Sequence, residues 1–171
     1  MSARVYGRVF KAALLGIGAF VASGCGQELP KPASALRPLD EAHAVAIMAK
    51  AFRDVGLDPV RNRTIQFGTH SAELRLDVAA KDRHFGIAYI TWQDADALGD
   101  ELPKKPGPDA ILVVRGAGPD TETRAALLFS ADYMQDDLSG DGHSVTSIAA
   151  EQKLERVTRD VLRRAERENW E

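Results

Sequence analysis

One short segment limits the possible fold of this chain more than any other, because its residues alternate between two chemical classes. The segment is Ala72–Val78, AELRLDV. Residues that alternate in this way point to opposite faces of a β-strand. Charged side chains at every second position predict one solvated face, which favours antiparallel pairing. The predicted buried face holds Ala72, Leu74, Leu76 and Val78, and the predicted solvated face holds Glu73, Arg75 and Asp77.

Four further segments have the composition of strands, and turn residues separate them. Gly68–His70 is short enough to join the first of them to Ala72–Val78 as a hairpin. Ala110–Val114, AILVV, is apolar throughout, which predicts a central strand. Arg124–Met134 also suits a helix, but the glycines and proline before it favour a strand. The four segments are Thr64–Phe67, His84–Trp92, Ala110–Val114 and Arg124–Met134.

Helices are predicted at both ends of the folded region. Asp40 can cap a helix whose apolar residues follow helical spacing up to Phe52, and Gly56 is a typical stop. A long amphipathic helix is predicted from Ser147 to about Asn169, whereas Gln93–Asp109, with its proline- and glycine-rich end, is predicted to be a loop. The predicted fold class is therefore α+β, an antiparallel sheet of about five strands with the N-terminal and the long C-terminal helix packed on one face.

The start of the chain has the three parts of a secretory signal. Three basic residues and no acid precede the apolar run Ala12–Ala22, and small residues follow it up to Cys25. The apolar run is shorter than the roughly 20 residues that a membrane-spanning helix needs. Residues 1–24 are therefore predicted to be a removable signal peptide.

Cys25, the only cysteine, follows Ala22-Ser23-Gly24. Together with the charged and apolar segments before it, this sequence resembles the lipobox of bacterial lipoproteins. In that family the chain is cut before the cysteine, whose sulfur carries a diacylglycerol and whose new amino group is usually acylated. The resemblance implies that Cys25 carries the lipid and makes the membrane a partner. Ordinary secretory cleavage, which leaves a free thiol, is the alternative, but an unpaired cysteine in an exported chain favours lipidation.

Three consequences concern the mature protein. Residues 25–38 are predicted to be the lipidated cysteine and a proline-rich tether, and residues 39–171 a single domain. The resemblance implies an exported protein on the outer membrane, because Gly26 stands where Asp retains the best-studied lipoproteins in the inner membrane. Without residues 1–24 the chain has 19 Lys and Arg against 25 Asp and Glu, and this net charge of −6 argues against a nucleic-acid partner.

One loop has the spacing of a calcium ligand set. Asp137, Ser139 and Asp141 occupy positions one, three and five, and Gly142 follows at position six. Oxygen ligands at this spacing resemble the front of a calcium loop. Position twelve, where the loop should close with Glu, is Ile148, so the favoured alternative is a polar loop that leads into the last helix.

The other polar candidates have simpler explanations. No zinc-helix spacing, nucleophile elbow, phosphate loop or dinucleotide fingerprint occurs, so no catalytic residue is assigned. Trp92 and Trp170 are candidate anchors for a partner, but the favoured interpretation places Trp92 in the core or at the sheet edge and has Trp170 cover the sheet. The remaining candidates are four scattered histidines, predicted to be surface or edge residues, an acidic cluster, predicted to be a solvated loop, and an arginine row. These are His43, His70, His84 and His143; Asp94, Asp96, Asp100 and Glu101; and Arg156, Arg159, Arg163 and Arg167. The arginine row could meet anionic lipid head groups, but neighbouring acids favour a neutralised face.

The sequence therefore predicts the location of the protein more clearly than its activity. The leading hypothesis is a lipid-anchored cell-envelope lipoprotein that acts by binding or assembly with an unknown envelope protein or ligand. A calcium-binding module that uses Asp137, Ser139 and Asp141 is the first alternative. An envelope hydrolase whose residues no motif identifies is the second.

Overall fold

The computed structural model describes residues 35–105, 107, 110–136 and 141–170, and the side chains of residues 141–145 are outside this description. All described residues belong to one compact unit, Ala33–Glu171. The strands are β1 (Leu36–Pro38), β2 (Pro59–Phe67), β3 (Ala72–Ala80), β4 (Phe85–Ile90), β5 (Leu112–Arg115), β6 (Arg124–Phe129) and β7 (Met134–Asp136). The helices are α1 (Glu41–Asp54), α2 (Trp92–Leu98) and α3 (Asp141–Arg167).

A five-stranded sheet in the order β2-β3-β4-β6-β5 forms the centre of the molecule. The prediction of an α+β chain with about five strands and a long C-terminal helix is confirmed. Neighbouring strands pair antiparallel except β4 and β6, which run parallel with Phe85 opposite Arg124. The sheet is therefore mixed, and the prediction of an antiparallel sheet is wrong at this pair.

Both faces of the sheet are covered, whereas the sequence predicted one solvated face. On one face Phe52 of α1 and Leu154 of α3 share a core with Ile87 of β4. On the other face Ile90 of β4 belongs to a second core, against which Leu98 of α2 packs. This three-layer arrangement explains why every residue of β4 is buried.

The first helix confirms the prediction at both ends. Asp40 caps α1, because its carboxylate accepts the His43 N–H at 3.3 Å. The chain leaves the helix through Gly56, which has a φ of 78°, and the Leu57 N–H returns to the Phe52 carbonyl at 3.0 Å. Such a return bond with a left-handed glycine is a common helix end.

The prediction of a loop at Gln93–Asp109 is wrong in its first part, where α2 is followed by a short 3-10 turn, Gly99–Glu101. Thr91 and Asp94 form a capping box that starts α2. The Asp94 N–H donates to Thr91 Oγ1 at 3.2 Å, and the Thr91 N–H donates to Asp94 Oδ2 at 2.9 Å. Two otherwise unpaired N–H groups are satisfied in this way, which favours a helix even over seven residues.

The strand predicted over Ala110–Val114 exists as β5, but it lies at an edge of the sheet. Its apolar composition reflects contact with both cores, because Val113 packs against the first core and Leu112 against the second. An uninterrupted apolar run therefore indicates here that both faces are covered, not that the strand is central.

A second, two-stranded sheet joins the start of the described chain to the segment before α3. Leu36–Pro38 lies within the predicted tether and pairs antiparallel with Met134–Asp136. The strand predicted over Arg124–Met134 is interrupted, since β6 ends at Phe129 and a 3-10 turn, Ser130–Asp132, leads to β7. The folded unit thus includes the last residues of the predicted tether.

The last helix begins before the predicted start at Ser147, with Asp141 as its first residue. After α3 the chain folds back, and the buried Trp170 ring packs edge-on against Phe85 with centroids 6.3 Å apart. The prediction that Trp170 covers the sheet is confirmed. Among the described helices, none combines the length and apolar composition needed to cross a membrane.

Candidate functional site

The pairing between β2 and β3 is interrupted at one position. Arg61 pairs with Val78 and Arg63 with Leu76, but Asn62 and Asp77 between them are outside the ladder. Asn62 has a φ of 56°, the left-handed conformation that Asn tolerates better than most residues. Because of this irregularity, alternate side chains of β3 before and after Asp77 point to opposite faces of the sheet, whereas a regular alternation would place them on one face.

The reversal moves side chains away from their predicted faces. Leu74 and Leu76 belong to the second core, whereas Val78 and Ala80 belong to the first. The prediction that Asp77 points to solvent is therefore wrong, since this residue is only 2% exposed.

The buried Asp77 carboxylate has two hydrogen-bond donors. The Tyr89 N–H donates to Oδ2 at 2.7 Å, and Arg75 Nε donates to Oδ1 at 3.1 Å. Burial raises the pKa of Asp77, although these donors oppose the shift. Both carboxylate oxygens are thus engaged, and the group holds Arg75 and the Tyr89 backbone in place.

Arg75 connects the sheet to the first turn of α1. Its guanidinium forms an ion pair with Glu41, and Asp77 accepts from the same side chain. Glu41 is also favourably placed at the positive end of the α1 dipole. The three residues therefore form a polar network that joins β3 to α1.

Trp92 stands beside this network at the first position of α2, and it is 71% exposed. The prediction of Trp92 in the core or at a sheet edge is wrong, because the chain leaves β4 at Ile90 and enters a helix. The capping box of Thr91 and Asp94 fixes the backbone on which the indole stands. The Trp92 ring is thus exposed to solvent while the backbone that carries it is held in a fixed conformation.

Two clefts lie next to this network. The Trp92 cleft, of about 500 Å³, is lined by Trp92, Gln93, Arg37 of β1, Glu41 and Tyr89 among others. A smaller cleft of about 160 Å³ is lined by Arg75, Asp77, Asp94 and Leu98 among others, and Tyr89 again forms part of its wall. The Glu41–Arg75 ion pair contributes one residue to each cleft, so these elements form one continuous polar and aromatic surface.

The residues predicted to bind lipid or calcium lie mostly outside the described residues. This applies to Cys25, Asp137 and Ser139, while Asp141 is the first residue of α3 and its side chain is not described. Within the part of the chain that the structure describes, no group of three or more His, Cys, Asp or Glu side chains is suited to a metal ion. The calcium interpretation stays a prediction.

Two of the histidines pair with glutamates. His43 Nε2 lies 2.8 Å from Glu151 Oε1, which links α1 to α3. His70 Nδ1 contacts Glu101, and the Thr69 N–H donates to the same carboxylate at 2.8 Å. Both hydrogen bonds lower the pKa of Glu101, and the bond with His70 has the larger effect. The acidic cluster is thus partly structural, since Asp94 caps α2 and Glu101 closes the β2–β3 hairpin.

The arginine row on α3, predicted to be neutralised, has acidic partners at two of its four members among the described residues. Arg159 donates to Asp54 at 2.9 Å and to Glu155 at 2.7 Å, and Arg163 pairs with Asp160. Arg159 therefore joins α3 to the end of α1. Arg156 has no such partner among the described residues.

Sequence reasoning missed the network of Glu41, Arg75 and Asp77. Glu41 and Arg75 are 34 positions apart, and no local pattern connects them. The capping box was visible as Thr91-x-x-Asp94, a spacing typical of a helix start. This spacing predicts that Trp92 is the first residue of a helix, where its side chain can point to solvent.

A scan against protein-family models finds no matching family, and searches of the curated proteins and of the solved structures find no significant match. The fold and the site define a small α+β domain with an exposed tryptophan beside a polar network in which Arg75 links the buried Asp77 to Glu41. Its function is therefore argued from its own residues.

Proposed function

We propose that the protein is a lipid-anchored envelope lipoprotein that acts by binding a protein partner through the Trp92 cleft, without catalysis. One observation carries the proposal, the 71% exposure of Trp92 on a capped helix at the rim of a cleft. Burying a tryptophan against a partner removes a large apolar area from water, and tryptophan is enriched among residues that dominate binding energy. Arg37, Gln93 and Gln135 line the same cleft and supply polar contacts.

The sequence supports the anchor. Cys25 with its preceding segments resembles the acylated cysteine of bacterial lipoproteins, and two or more acyl chains on one residue give stable membrane attachment. Arg37 lines the Trp92 cleft and follows Cys25 by 12 positions. An extended chain of this length spans at most about 40 Å. A partner in or on the same membrane, which we propose is the outer membrane, is thus within reach.

The anchor is tested by Cys25→Ser. The wild-type chain is expected in the outer-membrane fraction with an acylated Cys25 at its new amino terminus, as mass spectrometry of that terminus would show. The Cys25→Ser chain is expected to keep its signal peptide or to appear in the soluble fraction. Membrane sedimentation of this variant together with cleavage at the same bond would contradict the anchor.

The binding role is tested by cross-linking in cells. A photoreactive amino acid at Gln93, next to the indole, is expected to yield one dominant protein adduct. Trp92→Ala should remove most of this adduct, because the main apolar contact is lost. Val55→Ala, which shortens another exposed apolar side chain, should leave it unchanged. An adduct that persists in Trp92→Ala would refute the role of the cleft.

A further inference from the structure

A separate cleft of about 180 Å³ is formed by α3, by the end of the sheet around β6 and by the segment before β5. It shares no lining residue with the Trp92 cleft. Apolar residues, including Ile111, Leu128 and Val157, which all belong to the first core or pack against it, form one part of its wall. We call it the cationic cleft, because its charged residues are Lys105, Lys153, Arg156, Asp132 and Asp160.

Both acids of the cationic cleft are already engaged by cations. Asp132 pairs with Lys105, and both side chains are about one fifth exposed, at 22% and 20%. Asp160 pairs with Arg163, which lies one turn further along α3 and is not part of the wall. Each acid therefore already has a cationic partner other than Arg156.

Arg156 is a cation of the cleft wall that neither Asp132 nor Asp160 is described as pairing with. It lies on the same face of α3 as Lys153 and Asp160, three and four positions away. It is exposed, and within the described part of the chain it forms no ion pair or hydrogen bond. A guanidinium group presents a planar set of donors that matches a carboxylate or a phosphate.

The size of the cleft limits what it can hold. A cavity of roughly 150 Å³ holds one benzene molecule, so a space of about 180 Å³ suits one ring or a short aliphatic chain. The neighbouring Tyr133 is buried and has the Lys153 ammonium 5.9 Å from its ring centroid. Charge and apolar surface are therefore adjacent in this cleft.

We propose that the cationic cleft binds a small organic anion, a carboxylate or phosphate ester that carries one aromatic ring or a short apolar chain. Arg156 holds the anionic group at the mouth, and Ile111 and Val157 contact the apolar part. The predicted mature chain has a net charge of −6, so a cationic cleft is a local feature and not a general attraction of the protein for anions.

The test uses the isotope-labelled full chain in zwitterionic detergent and follows its amide NMR signals. Phenyl phosphate, which combines a ring with an anion, is expected to shift signals from residues 127–133 and 153–160 in a saturable way. Inorganic phosphate and phenol, each with half of this chemistry, should bind about tenfold more weakly or worse. Arg156→Glu should weaken phenyl phosphate binding by about tenfold or more. The matched control Arg167→Glu, on the same helix but outside the wall, should stay within about twofold.

Two results would overturn the proposal. The first is the absence of saturable shifts with phenyl phosphate, or an equal loss in both arginine variants, which would indicate non-specific charge attraction. The second is a set of shifts at the cleft with phosphatidylglycerol vesicles but not with phenyl phosphate, which would assign Arg156 to lipid head groups.

Discussion

Asp77 shows at the scale of one residue how the whole fold sets a local property. Its carboxylate is buried because the interruption opposite Asn62 reverses the facing of β3 and because both faces of the sheet are covered. Burial is the main cause of its raised pKa; Glu41 and Asp94 act in the same direction, and Arg75 and the Tyr89 N–H act against it. The native state therefore binds a proton at Asp77 more tightly than the unfolded state.

This linkage predicts a pH dependence of stability. Because the folded pKa of Asp77 is raised, ionisation at high pH opposes folding, and protonation stabilises the native state as pH falls through the folded pKa towards the unfolded value of about 3.9. Relative to Asp77→Asn, the wild-type free energy of unfolding is expected to increase between about pH 7 and about pH 4. Urea denaturation of both chains across this range measures the difference, and a decrease would contradict it.

Gly68 is the second position where one residue has a large effect. It has a φ of 73°, and an added Cβ would lie 2.0 Å from Glu101 Oε2, the carboxylate that accepts from Thr69. Gly68→Ala is expected to destabilise the protein by about 2–4 kcal/mol, the sum of left-handed strain and displacement of Glu101.

Gly56→Ala is the matched control for this prediction. Gly56 has a φ of 78° with nothing within 4 Å of an added Cβ. Gly56→Ala should therefore destabilise the protein only by the left-handed strain of about 1–2 kcal/mol. In a Glu101→Ala background the cost of Gly68→Ala should fall to that of the control. Equal costs of the two glycine substitutions in the wild-type chain, measured by urea denaturation, would refute the contact with Glu101.

At the scale of elements, α1 and α2 differ in how much of each the sequence predicts. The signals of α1 are local: an Asp cap, apolar residues at helical spacing and a glycine stop. Helix α2 has no buried residue, so apolar spacing cannot reveal it, and its capping box is the only local signal. The burial of Asp77 depends on Tyr89, 12 positions away, and on α2 over the second face, and neither is visible in the alternation of β3.

The capping box of α2 predicts a measurable loss. Thr91→Ala removes the Oγ1 acceptor of the Asp94 N–H and is expected to cost about 1 kcal/mol in free energy of unfolding. Amide hydrogen exchange at Ala95–Leu98 should accelerate, because the helix frays from its first turn. Thr69→Ala, at an exposed turn where no side-chain hydrogen bond is described, should change neither. Unchanged exchange in Thr91→Ala would mean that packing alone holds α2.

At the scale of the whole molecule, α1, α3 and one sheet face share a single core. The sequence predicts this packing class because two amphipathic helices and a set of strands have few other ways to bury their apolar faces. It does not predict which strands are neighbours. The parallel pairing of β4 with β6 follows from the path of residues 91–123, and the apolar runs of these strands permit either direction.

The shared core predicts a strong contrast between two positions of α3. Leu154→Ala removes a side chain that is 0% exposed and is expected to cost about 2–5 kcal/mol. Ile148→Ala shortens a side chain that is 51% exposed and should change stability by less than about 0.5 kcal/mol. Far-UV circular dichroism and the fluorescence of the tryptophans should report one common transition in urea. Separate transitions would show that α3 unfolds independently.

The parallel pair also has a consequence for the order in which the molecule can assemble. When the chain has emerged only as far as Ile90, β2, β3 and β4 can already form a meander, but the second edge of β4 has no partner until β6 follows. The strand that ends up in the middle of the sheet is thus an open edge until residues 91–123 have emerged and β6 can pair with it. During that interval it is the point where a nascent chain is most exposed to pairing with a foreign strand.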